Sequence, residues 1–196
     1  MKTLKLLSVA ALLVMLFSAK GFTQDGDDKI VAKATAKAES MKTQFSLDDA
    51  QYKSLYDLFV TTMQKENALY ISGKSRMEME EGKEVIHQDF VSGVKSIFTT
   101  DQFAQFDKPE TKEGMMEGAK WRAAKMTKTL GLTDDQNKLL YELIVSTTEK
   151  QSALQASAKD KTALYEGRIK LDDDFYAAVK TILTPAQFEK FNMYDY

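Results

Sequence analysis

Leu132-Thr133-Asp134-Asp135-Gln136 is answered 85 residues earlier by Leu47-Asp48-Asp49-Ala50-Gln51. A threonine or aspartate three residues before a glutamine is a capping box. The cap side chain accepts the third amide proton of the helix, and the glutamine reaches back to the amide of the cap. Two more copies stand at Leu183-Thr184-Pro185-Ala186-Gln187 and, more loosely, Phe98-Thr99-Thr100-Asp101-Gln102. The pairs Asp48 and Gln51, Thr99 and Gln102, Thr133 and Gln136, Thr184 and Gln187 thus mark four predicted helix starts. Pro185 falls at the first helical position, where a missing N–H costs nothing. Leu183 with Phe188, and Phe98 with Phe103, have the spacing of a hydrophobic staple. Capping accounts for both residue types and spacing, so these glutamines read as structural rather than catalytic.

The shift of 85 residues aligns the rest of the chain without a gap. About 28 of the 76 positions from Ala32 to Asp107 are identical to their partners. That is a tandem duplication, with units at 29–107 and 115–196 and a charged linker, Lys108 to Gly114, between them. Each unit reads as about four helices, so the fold expected is all-α, two tandem units packed as an internal pseudo-dimer. The first helix carries an apolar stripe at Val31, Ala34, Ala38, Met41 and Phe45, answered by Met116, Ala119, Ala123, Met126 and Leu130. Its alanines predict close approach to a neighbour. The second helix, opening at Asp48 or Thr133, is expected to run on to the matched Gly82 and Gly167 as C-terminal stops. Gly73 is a candidate interruption in the first unit alone. The third presents Ile86, Phe90, Val94, Ile97 and Phe98, matched by Leu171, Phe175, Val179, Ile182 and Leu183. A short fourth holds Phe103 and Phe106, matched by Phe188 and Phe191.

Composition narrows the chemistry. The 196 residues include no cysteine, one histidine, two prolines and nine glycines. Disulfides, thiolate metal sites and cysteine nucleophiles are excluded, as is a multi-histidine cage. No cofactor is expected and no enzyme. His87 aligns with Asp172 and is expected to be a polar, exposed residue. Asp172-Asp173-Asp174 reads as acids favouring a helix dipole rather than as a cation site.

Residues 1–23 read as a secretory signal peptide. Lys2 and Lys5 precede an apolar run from Leu6 to Phe17, followed by small residues around Ala19-Lys20-Gly21. Cleavage after Gly21 or after Thr23 is expected. The apolar run is too short to span a bilayer. Loss of Lys2, Lys5 and Lys20 moves the formal charge from −2 to −5. The expected location is periplasmic, with no transmembrane segment after cleavage.

An exported all-helical chain with paired Leu-Thr-x-x-Gln motifs, the last continuing as Leu183-Thr184-Pro185-Ala186-Gln187-Phe188, resembles the Spy/CpxP family of periplasmic stress proteins. The resemblance covers the mature chain, with one motif early and one late in each unit. It implies a helical cradle that binds unfolding proteins without ATP, or an adaptor that binds one envelope-stress sensor. Relatives of this kind are dimers, so a tandem chain would be a monomer with an internal pseudo-dimer or a homodimer. The chain departs from the family in its short fused units, its acidic balance and its lack of metal-binding histidines.

Charge and soft side chains mark the candidate client surface. Segments 29–44 and 117–130 each carry a net +3, from Lys29, Lys33, Lys37 and Lys42 in one and Lys120, Arg122, Lys125 and Lys128 in the other. Two readings apply, a solvated outer face or a positive surface that attracts acidic clients. Trp121 lies within the second segment, as a partner anchor or as core. Met77 and Met79, with Met63, offer adaptable contact area or core filling. Without aromatic interleaving in the basic segments, no nucleic-acid partner is expected.

Overall fold

The computed structural model describes residues 26–108 and 111–193. The predicted signal peptide lies outside them. Among the described residues the chain forms eight helices and no strand, so the fold is all-α. The helices are α1 (Asp27–Phe45), α2 (Asp49–Tyr70), α3 (Arg76–Ile97) and α4 (Thr100–Phe106), then α5 (Lys112–Leu130), α6 (Asp134–Ser157), α7 (Lys161–Ile182) and α8 (Pro185–Met193). They fall into two compact units that part at Lys108 and Pro109. The expected linker is shorter than its sequence suggested. Thr111 accepts the Gly114 amide at 3.1 Å, so Lys112, Glu113 and Gly114 already form the first turn of α5.

In the first unit α2 is the central helix, packed along both α1 and α3. Ala34 and Ala38, fully buried, let α1 lie close on α2 as their size predicts. Leu55 and Val94 fill the middle, and the Phe59 and Phe90 rings pack tilted at 37° with centroids 5.1 Å apart. Phe45, Phe98 and Phe106 close one end, with centroid distances of 5.2 to 6.2 Å. The second unit repeats this plan with aliphatic residues. Leu130, Ile144 and Leu183 replace Phe45, Phe59 and Phe98 around Leu140, Phe175 and Val179. Burial of each large side chain stabilises its unit by roughly 1.5–3 kcal/mol.

Two expectations are corrected. The stripe of the first helix begins at Ile30, which is buried, whereas Val31 is 44% exposed; its counterpart Met116 is 41% exposed. Ile30 and Val31 lie about equally far on either side of the stripe's midline, so the packing of α1 on α2, not the helical period, selects Ile30. The second helix ends at Tyr70 or Ser157, with 22 or 24 residues, well short of the matched glycines. It breaks in both units, at 71–75 with Gly73 at φ +69° and at 158–160 without a glycine. Ser75 then N-caps α3 in a full capping box with Glu78, and Asp160 caps α7 by accepting the Ala163 amide. Gly82 and Gly167 sit inside α3 and α7. A Cβ there would lie 2.6 Å from Leu69 Cδ1 or Leu154 Cδ1. The glycines are notches that admit a leucine from the preceding helix.

All four predicted capping boxes form, each with both hydrogen bonds. Their glutamines also do something the spacing did not announce. Gln51 Nε2 donates to the Ile97 carbonyl at 3.0 Å and to Gln102 Oε1 at 2.7 Å. Gln102 Nε2 in turn donates to the Phe45 carbonyl at 3.1 Å. In the second unit Gln136 Nε2 reaches the Ile182 carbonyl at 3.0 Å and Gln187 Oε1 at 2.8 Å, and Gln187 Nε2 reaches the Gly131 carbonyl at 3.2 Å. Ile97, Phe45 and Ile182 end their helices, where carbonyls lack intrahelical partners. Each glutamine pair is therefore a clasp that ties two helix starts to two helix ends.

Beyond the clasped end, the interior of each unit mixes polar residues with buried apolar ones, Leu69 and Ile86 in the first unit and Leu164 and Tyr165 in the second. Glu80 and Lys83 of α3 form a 2.7 Å ion pair with side chains only 6% and 12% exposed, and Thr62 is buried on α2. His87 is also buried, at 3% exposure, which corrects the expectation that it faces solvent. It lies one helical heptad after Glu80, on the side of α3 that carries Phe90 and Val94, so its position follows the core stripe. The corresponding part of the second unit buries Thr147, Thr148, Gln151 and Arg168, whose Nη2 donates to Gln155 Oε1 at 2.7 Å.

Candidate binding surface

The basic residues of α5 stand largely in solvent. Lys120, Lys125 and Lys128 are exposed, and Trp121 is 66% exposed. Of the two readings of Trp121, core is therefore excluded. Lys125 Nζ lies 5.6 Å from the centroid of the Trp121 ring, a cation–π placement. Lys120 Nζ approaches Glu117 Oε1 only to 4.0 Å. Arg122 is turned to the flank, half-buried, with Nε donating to the Gly118 carbonyl at 3.3 Å.

The lysines of α1 are disposed differently. Lys29 is exposed, but Lys33 and Lys37 are half-buried, and Lys37 Nζ sits 5.9 Å from the Phe59 centroid. Its stem covers the edge of the core in the manner of an amphipathic side chain. Lys42 donates to Asp49 Oδ1 at 2.6 Å and lies 5.0 Å from the Tyr52 ring. That hydrogen bond holds the Lys42 ammonium above its ordinary pKa and the Asp49 carboxyl below the usual carboxylate range. The similar net charge of the two segments thus conceals two different arrangements. Of the candidates, Lys37 and Arg122 alone occupy equivalent positions.

The methionines do not gather into one surface. Met63 packs against the core of the first unit, while Met77 and Met79 are half-buried in the first turn of α3. The Ser75 hydroxyl and amide donate to Glu78 there, at 2.6 and 2.9 Å, and hold its carboxyl below its ordinary pKa. Next to this turn lies an open groove of about 570 Å³ between α2 and α3. Leu69, Gly82, Val85 and Ile86 floor it, and Lys65, Lys74, Glu78 and Glu81 rim it. Sequence reasoning missed this groove because it assigned Gly82 to a helix end. The mixed charges of the rim select no particular ligand.

Among the described residues no three acidic or histidine side chains are grouped as metal ligands, and no helix is long and apolar enough to cross a membrane. Asp172, Asp173 and Asp174 lie in the middle of α7, not at a helix start, which corrects the expectation that they complement a helix dipole; Asp174 is engaged by Lys170 at 3.0 Å. No protein-family model, curated protein or solved structure matches the chain. Of the exposed large apolar side chains among the described residues, Trp121 is the most exposed, and it stands on the outward side of α5 with Lys125 and Lys128.

Proposed function

We propose that the protein is an exported, ATP-independent holdase that binds unfolding proteins in the bacterial envelope, similar in character to Spy. The observation that carries this reading is Trp121, two-thirds exposed and ringed by Lys120, Lys125 and Lys128. A large aromatic side chain left in water does little for the fold. As a contact residue it offers wide apolar area at small entropic cost, and lysines around it raise the encounter rate with acidic chains. Val31 and Met116 add exposed apolar side chains on the first helix of each unit. The duplication would supply within one chain the two helical modules that relatives supply from two, and segment 1–23 would direct export.

The test is light scattering from an unrelated aggregating protein without ATP, with the mature chain added at low and high salt. Suppression that weakens as salt rises supports the holdase, because exposed charges are screened over about 10 Å at 0.1 M salt. Absence of suppression at several-fold molar excess overturns it. A single folded partner recovered from the envelope would then favour the sensor adaptor.

A further inference from the structure

The duplication gives almost every residue a counterpart 85 positions away, so a face that changes in chemical character stands out against a first-helix stripe that stays apolar. The buried sides of α1 and α5 correspond closely: Ala34 and Ala38 with Ala119 and Ala123, Phe45 with Leu130. Both clasps are kept. The outward side has diverged completely. Where α5 carries Lys120, Trp121, Lys125 and Lys128, α1 carries Thr35, Ala36, Ser40 and Thr43.

Helical geometry places these four residues together. At roughly 100° per residue, Trp121 points directly away from the midline of Ala119, Ala123, Met126 and Leu130. Lys125 and Lys128 share that side one and two turns on, and Lys120 borders it. Glu117, one turn before Trp121, is the nearest acid on the same helix, with Glu113 a turn earlier. The patch is thus one wide aromatic surface among three ammonium groups and a single adjacent carboxylate.

We infer that this outward side of α5 is a docking site for acidic, non-native segments, specifically an aromatic or aliphatic residue flanked by aspartates or glutamates. There is one such site per chain, on the second unit. The inference rests on the holdase reading and gives it a client class and an address. Charge complementarity chooses the occupant, since three lysines repel basic segments and draw acidic ones. Trp121 supplies the central anchor, the role tryptophan most often has in an interface. An anionic membrane fits less well. Trp121 is the one broad apolar side chain on this side, and interfacial helices insert a continuous apolar face.

Trp121 is the only tryptophan in the chain, so its fluorescence reports on the site directly. The mature protein is titrated with a short fluorescein-free peptide in which Phe and Leu alternate with Asp and Glu. A counterpart with Lys replacing the acids, and vesicles of phosphatidylglycerol, serve as the other arms. A blue shift with the acidic peptide and none with the basic one is expected. Anisotropy of a labelled acidic peptide then compares variants. Trp121→Ala, and the triple Lys120→Ser, Lys125→Ser, Lys128→Ser, should each weaken binding at least about tenfold. Replacing the exposed Lys138, Lys150 and Lys161 by serine should leave it near the wild-type value. Unchanged circular dichroism confirms that the variants are folded. Equal affinity across all variants, or a blue shift with vesicles but not with the peptide, overturns the inference. If Trp121→Ala still suppresses aggregation as the wild type does, the site is wrong and the holdase stands. If the wild type binds the acidic peptide through Trp121 yet suppresses no aggregation, the holdase reading fails and the site remains.

Discussion

Removing one glutamine of a clasp should cost more than removing a cap. In Gln51→Ala the chain loses the bond from the Asp48 amide at 3.1 Å, the bond to the Ile97 carbonyl at 3.0 Å and the bond to Gln102 at 2.7 Å. One exposed and two partly buried hydrogen bonds at about 1 kcal/mol each give a loss of roughly 2–3 kcal/mol. A capping residue acting alone is worth about 1 kcal/mol. Gln102→Ala should cost a similar amount through Thr99, Phe45 and Gln51. The double variant should fall short of the sum by about 1 kcal/mol, because the hydrogen bonding between the two glutamines is lost only once. Urea unfolding of the mature chain, followed by circular dichroism and fitted as two units, measures all four corners of the cycle. Single losses near 1 kcal/mol that add strictly would refute the clasp and return these glutamines to simple capping.

Other positions yield sharper signs than sizes. Ser46 holds a left-handed backbone, φ 51°, where the second copy has Gly131 at φ 65°. Ser46→Gly should therefore raise the thermal midpoint, by about 1 kcal/mol of stability. Gly93→Ala meets Leu58 Cδ1 at 2.7 Å, but the equivalent position of the second unit already carries Ala178 beside the counterpart Leu143. Thermal melting should show the first unit unharmed or stabilised by up to about 1 kcal/mol, the helix preference of alanine over glycine. Glu78 has its folded-state pKa depressed by bonds from Ser75. Its contribution is present above the unfolded carboxylate pKa and fades as the pH falls through the folded value. Glu78→Gln should flatten that part of the acid limb in urea midpoints measured against pH, leaving neutral stability lower than in the wild type.

Much of this fold is legible in the chain because local and tertiary demands agree. The four capping boxes, the alanine stripe and the phenylalanines of α3 and α4 each satisfy a short-range pattern that packing then uses. The misreadings arise where those demands part. Gly82 and Gly167 look like stops because glycine ends helices, yet their smallness serves the leucines opposite them. Val31 and Ile30 are adjacent apolar residues, and periodicity cannot choose between them until a neighbouring helix fixes the phase. His87 is a polar residue on a core face, where residue type alone misleads. The cross-bonds of the clasp join residues 51 apart in sequence, beyond any local pattern. The exposure of Trp121, by contrast, follows from periodicity, since it lies opposite the midline of Ala119, Ala123, Met126 and Leu130.

The contrast between the two ends of each unit has a dynamic consequence. At one end aromatic or aliphatic packing and the clasp fasten four helix termini. At the other, threonines, an ion pair or an arginine–glutamine bond are buried beside Leu69 and Ile86, or beside Leu164 and Tyr165. Polar contacts lose less than apolar ones when water enters, so each unit should loosen first at its more polar hairpin end and last at its clasped end. Amide protons should exchange fastest around residues 65–80 and 150–165 and slowest beside Leu55, Val94, Leu140 and Val179. A unit built this way behaves as a pair of tweezers with a welded hinge, able to yield at its tips without unfolding.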